Sequence, residues 1–188
     1  MKFRTAIACG ALVALSACGQ PASTPRSASS PAAGQAAQMQ TATPASQFVA
    51  RAAMFENYQI QAAQIAQQSA QSPAAKAYAA ASLAEHQATL QQLIGAAQAA
   101  GMPAPDAALD QNYNAYLDML RHADARTFDA TYASQQALAS MTASGLYDSF
   151  TSTAPETPLR QWAQTQSQHV HDGIAAARRL ASDIQASH

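Results

Sequence analysis

Cysteine is almost missing from this chain. Of its 188 residues only Cys9 and Cys18 are cysteines, both near the N-terminus, so no disulfide can staple the body of the protein. Charge is scarce as well, with 10 Lys and Arg against 11 Asp and Glu and a formal net charge of −1. Without a dense basic cluster there are too few cations to neutralise a run of phosphates, which excludes nucleic acid as an electrostatic partner. Aromatic residues make up 6% of the chain and glycines number seven, and no nucleotide-binding loop, cysteine-based site or nucleophile–base spacing occurs. What the chain has in quantity is alanine and glutamine, 50 and 23 residues. Its apolar content is therefore mostly methyl groups on strong helix formers, not the β-branched and aromatic residues of strands. These proportions predict an all-α protein with one ordinary domain.

The N-terminus carries processing signals. Met1-Lys2-Phe3-Arg4 is a short basic segment, and Thr5 to Leu15 is an uncharged stretch shorter than the roughly 20 residues that span a bilayer. The stretch ends in Leu15-Ser16-Ala17-Cys18, which resembles the bacterial lipobox, whose cysteine is lipidated and becomes the first residue of the mature chain. A plain secretory signal that happens to carry a cysteine is the other reading. Gly19 stands where aspartate would resemble an inner-membrane retention signal, so this resemblance implies an outer-membrane anchor with the domain facing the periplasm. Several acyl chains anchor stably, at about 0.8 kcal/mol per buried CH₂. Residues 19–45, rich in Pro, Ala, Ser and Thr, show no apolar periodicity and form a disordered tether with a reach on the order of 30 Å. The expected organisation is a lipoprotein signal peptide over 1–17, lipidated Cys18 with its linker over 18–45, and a helical-bundle domain over 46–186.

Within that domain the apolar spacing predicts four long helices and one short one. Phe48, Ala52, Phe55, Gln59, Ala62 and Ala66 form the inward stripe of the first. Ser72-Pro73 supplies a cap and a first-turn proline, after which Ala79, Leu83, His86, Leu90 and Leu93 lead to a stop at Gly101. Leu109, Tyr113, Leu117 and Leu120 mark a shorter helix ending near His122. Phe128, Tyr132, Gln135, Leu138, Thr142 and Leu146 give the next stripe, and Thr153 with Glu156 has the spacing of a capping box. The last stripe runs Leu159, Trp162, Gln166, His169, Gly173, Ala177 and Leu180, which leaves His171 outward.

The run Ala75 to His86, with Leu90, Leu93, Gly101 and Pro103 behind it, resembles a family of exported bacterial proteins known as domain of unknown function 4142. Phe48-Val49, Tyr58 to Gln61, Phe128-Asp129 with Tyr132, and Ala177 to Leu180 follow its pattern in order, over about residues 48–184. The resemblance implies a ferritin-like four-helix bundle, whose active relatives hold two metals between facing helices with carboxylates and imidazoles. It also implies where ligands would stand. Glu85-His86 takes the place of the family's Asp-His, whereas Gln59 replaces a glutamate, and Ser140 and Gly173 replace histidines. Iron or another transition metal would then need His86, His169, Glu56 and Glu85 as a rearranged ligand set.

Read without a metal, inward Gln59, Gln135 and Gln166 join His86 and His169 in a polar core network. Two functions follow. The first is a lipid-anchored envelope domain with a non-enzymatic binding or structural role, a degenerate metal site and no cofactor; the alternative is an iron-binding oxidoreductase or storage bundle. The partner implied is the membrane, through the lipid. No residue pattern names a protein partner.

Overall fold

The computed structural model describes residues 44–106 and 108–187. The signal peptide, Cys18 and the linker as far as Thr43 lie outside the described residues. Five helices follow in order: α1 Pro44–Ser69, α2 Pro73–Ala99, α3 Gln111–His122, α4 Phe128–Thr153 and α5 Pro158–Ala186. Strands are absent among the described residues, and no described helix is long and apolar enough to cross a membrane. The first helix begins at Pro44, inside the segment read from sequence as linker.

Four helices form the bundle. α1 packs on α2 and α4, α5 packs on the same two, and α3 lies over the α1–α4 seam. Phe48 at the start of α1 stacks on Phe150 at the end of α4, with ring centroids 3.9 Å apart. Trp162, in the second turn of α5, meets the same ring. At the other end the Asp129 carboxylate accepts hydrogen bonds from the backbone N–H groups of Gln71 and Ser72, at 2.9 and 2.7 Å. So α4 runs antiparallel to α1, α5 runs parallel to α1, and every neighbouring pair is antiparallel. The segment from α2 to α4 must therefore return the length of the bundle, and α3 is the middle of that crossover.

Local chemistry sets the ends. Ser72 accepts from the Ala75 N–H at 3.1 Å with Pro73 in the first turn, as the sequence indicates. Gly101, at φ 73°, closes α2 with the Gly101 N–H on Gln98 O and the Met102 N–H on Ala97 O. A side chain there would pay the left-handed backbone cost that glycine avoids. Asp124 holds the turn into α4 by accepting from Arg126 and Thr127. The cap of α5 is not the Thr153–Glu156 box. Thr157 accepts from the Arg160 N–H at 3.2 Å, and Glu156 instead pairs with the Arg160 side chain. Thr153 remains helical at the end of α4, and the chain needs the turn through Pro155 before it can start again.

Two stripes differ in phase from the reading of the sequence. In α4 the buried residues run Tyr132, Gln136, Ala139, Ala143, Tyr147 and Phe150, while Leu138 is 46% exposed and Thr142 faces solvent. In α5 the inward position between Gln166 and Gly173 belongs to Val170, so His169 is exposed. Alanine explains both shifts. The helices approach through methyl groups at Ala139, Ala143, Ala163 and Ala177, leaving larger aliphatic residues to fall outside the seam. His171 is exposed as expected, with Nε2 on Asp148 Oδ2 at 3.1 Å. The Ser167 hydroxyl and then His171 hold the Asp148 carboxyl below its usual pKa.

Candidate functional site

Midway along α1, Glu56 is buried, with 1% of its surface exposed. The sequence places it only loosely on the inward stripe. α1 is covered by α2, α3 and α4 at once, so its buried arc is wide enough to take in Phe55, Glu56, Tyr58 and Gln59 together. The carboxylate meets His86 from α2: the Nδ1 hydrogen of His86 is donated to Glu56 Oε2 at 2.6 Å. On its other side the Tyr147 hydroxyl of α4 donates to Glu56 Oε1 at 3.4 Å, a weak bond. Burial, and then the Glu56 charge, raise the Tyr147 pKa well above that of a free phenol. Phe55 packs edge-on against the imidazole, centroids 5.5 Å apart. A buried carboxylate thus has two donors and the histidine a fixed orientation.

With Nδ1 turned to Glu56, the opposite edge of His86 borders a cleft of about 330 Å³ between α2 and α5. Ser82, Ser140 and Gly173 line its inner part. A methyl group built on Gly173 would stand 3.5 Å from Ser140 Oγ, an ordinary contact, so the absent side chain is what leaves this space. Glu85, His169, Asp172 and Arg179 also line it, from positions exposed to solvent. His86 and the two positions where the family resemblance implies histidines, 140 and 173, therefore converge on one cleft. In this chain one is a hydroxyl and one a hydrogen.

The two metals implied by the resemblance do not fit this arrangement. Among the described residues, no group of three or more His, Cys, Asp or Glu side chains could hold a metal ion. Gln59 is buried with its Oε1 lacking a protein partner, and an amide brings no negative charge to a cation. Of the four candidates, Glu56 and His86 are paired, His169 and Glu85 share the cleft with His86, and Glu56 lies behind it.

The glutamines do not form one network. Gln135 accepts from the Tyr58 hydroxyl and donates to Tyr116 O, both at 3.2 Å, tying α3 to the bundle. Gln166 reaches Gln92 at 3.5 Å, and Gln59 stands apart. Their long-range partners separate them. Sequence reading also passed over Gln136, fully buried with neither end of its amide bonded to protein. Orphaned polar groups of this kind cost about 1–3 kcal/mol, so Gln136→Leu is expected to raise stability by that order, seen as a higher urea midpoint at unchanged slope. The signal for it was its helical spacing from Tyr132, Ala139 and Ala143.

Neither the curated proteins nor the solved structures contain a significant match to this chain. The sequence profile of the family described as Domain of unknown function (DUF4142) matches residues 30–180 of the 188, well over half, and the chain belongs to that family.

Proposed function

We propose that this protein is a lipid-anchored cell-envelope protein, exported through its N-terminal signal, acylated at Cys18 and tethered by its N-terminal segment at the outer membrane facing the periplasm. Its bundle is read as ferritin-like, a reading supported by four antiparallel helices with a single crossover from α2 to α4. Its role is read as non-enzymatic, binding or structural. The observation that carries this is the poverty of ligands around the Glu56–His86 pair: Gln59, Ser140 and Gly173 supply no anionic or imidazole group beside it, and no three or more His, Cys, Asp or Glu side chains come together among the described residues.

The test is metal content. Full-length protein purified without chelators and loaded with iron, aerobically and anaerobically, should carry well under one metal per chain by inductively coupled plasma analysis. Two irons per chain, lost in Glu56→Ala, would establish the oxidoreductase or storage reading in its place. The anchor is tested separately. Cys18→Ser should abolish labelling by a clickable palmitate analogue and leave unprocessed precursor, since the lipobox cysteine is the acceptor; equal label on both proteins would sink the anchoring.

A further inference from the structure

Where solvent meets α4 the helix is apolar. None of residues 130–147 is charged, and Leu138 and Met141, 46% and 49% exposed, stand one turn apart on its outer side. Gly145 follows a turn later, and a side chain placed there would meet nothing within 4 Å, so the surface dips beside the two large residues. Met141 also lines a shallow groove against α5 with Ile174 and Ala175, and Arg178 stands in the same groove. Arg178 has no ion pair among the described residues. Its place relative to Asp148, at the other end of the patch, follows from the helix register. Gly173 faces Ser140 across the α4–α5 seam, and α5 runs antiparallel to α4. Arg178, five residues past Gly173, therefore lies about 7.5 Å toward the start of α4, and Asp148, eight residues past Ser140, about 12 Å toward its end. The midpoint of cation and anion falls at Met141 and Thr142.

We infer that this face binds a second copy of the chain, antiparallel about a two-fold axis that passes between Met141 and Thr142. Met141 then meets its own counterpart, and Arg178 meets the second copy's Asp148, each pair formed twice. The same axis lays Leu138 over the second copy's Gly145, an exposed leucine onto the glycine that makes room for it. The charges alone place the axis, so the match of bulk to dip is a second agreement. Area agrees as well. α4 and α5 side by side, each about 40 Å long and about 10 Å wide, offer on the order of 800 Å² on this side, the scale that a stable pair buries per partner. An anionic lipid surface suits this face less, because Asp148 sits at one end of it.

Cross-linking in cells that express the full chain tests this. Met141→Cys brings two thiols together at the axis, within reach of a disulfide, whereas Met119→Cys, at a position 55% exposed, lies on α3 over the α1–α4 seam and away from it. Brief oxidation should give a reducible species of twice the chain mass with Met141→Cys and no more than the wild-type background with Met119→Cys. Cys9 and Cys18 are common to every lane, so failure of the lipid anchor raises that background without altering the comparison. Gly145→Gln in the Met141→Cys chain should abolish the product; its open surroundings and the better helix propensity of glutamine keep the fold. Leu138→Ala should slow cross-linking, with the unfolding of dilute protein nearly unchanged. Arg178→Asp and Asp148→Arg should each slow it about tenfold by setting like charges together, and the two combined should restore it. Within one chain these residues are about 20 Å apart, so restoration reports a contact between copies. Equal cross-linking at 119 and 141, or a double variant as slow as the singles, would overturn the inference. So would a wild-type chain that sediments as a monomer in detergent at every concentration, including one that instead binds vesicles of phosphatidylglycerol.

Discussion

His86→Ala is expected to destabilise the bundle by about 3–5 kcal/mol, the cost of leaving a buried charge without its partner. The asymmetry of the pair is the reason. Glu56 is nearly inaccessible while the His86 side chain retains 16% exposure, so the histidine is the group whose removal strands the other. Tyr147 remains, yet one bond of 3.4 Å does not replace one of 2.6 Å. If the cost is stranding rather than lost contact, removing both charges should undo it. Glu56→Leu with His86→Leu should return stability to within about 1 kcal/mol of wild type, because a well-packed apolar pair commonly equals a buried ionic one. Urea denaturation of the single and double variants decides this, and a double variant as unstable as His86→Ala would show that the pair stabilises the fold in its own right. His171→Ala serves as the contrast, since its exposed pair with Asp148 is worth within about 0.5 kcal/mol.

Phe48→Ala should cost a similar amount, about 3–5 kcal/mol, and lower Tm by roughly 10 °C or more. Phe48 is 2% exposed and joins three helix ends in one contact, stacked on Phe150 and edge-on to Tyr147 with centroids 5.2 Å apart. Alanine makes up 12 of the 27 residues in the buried core cluster, so one large ring is a sizeable share of the apolar surface that the core buries. Leu138→Ala is the informative partner experiment. The apolar spacing of α4 reads Leu138 as core, but the folded chain exposes it, so its truncation should shift stability by no more than about 0.5 kcal/mol. Equal losses at positions 48 and 138 would restore the phase that the spacing implied.

That contrast marks how far the sequence could be read. Helix ends were legible where one residue's chemistry acts on its own neighbours, as with Ser72-Pro73 and Gly101. The α1 stripe was legible because Phe48 and Phe55 anchor its phase. In α4 and α5 the seam is made of alanine, which occurs on every face of these helices. Leu138 and His169 therefore drew the stripe off by one position each. At the site, His86 could be placed inward from its spacing with Leu83 and Leu90. Its partner could not, because Glu56 stands 30 residues away and its depth depends on α3 closing over α1. The Asp129 clamp was hidden for the same reason. A carboxylate in a first helical turn is explained by the helix dipole alone, and nothing local points to backbone donors 57 and 58 residues earlier.

Burial is unevenly shared among the four long helices. α1 has buried side chains from Phe48 through Ala66, whereas α2 buries none between Ser82 and Leu93. Amide hydrogens in that stretch of α2 are held by the intrahelical ladder with little packing behind it, so brief local unfolding releases them at a fraction of the free energy that frees those of α1. What ties that stretch to the rest of the bundle is chiefly His86 on Glu56, with Leu90 at the edge of the core, so cutting the one pair should let its amide hydrogens exchange with solvent far sooner than those of α1.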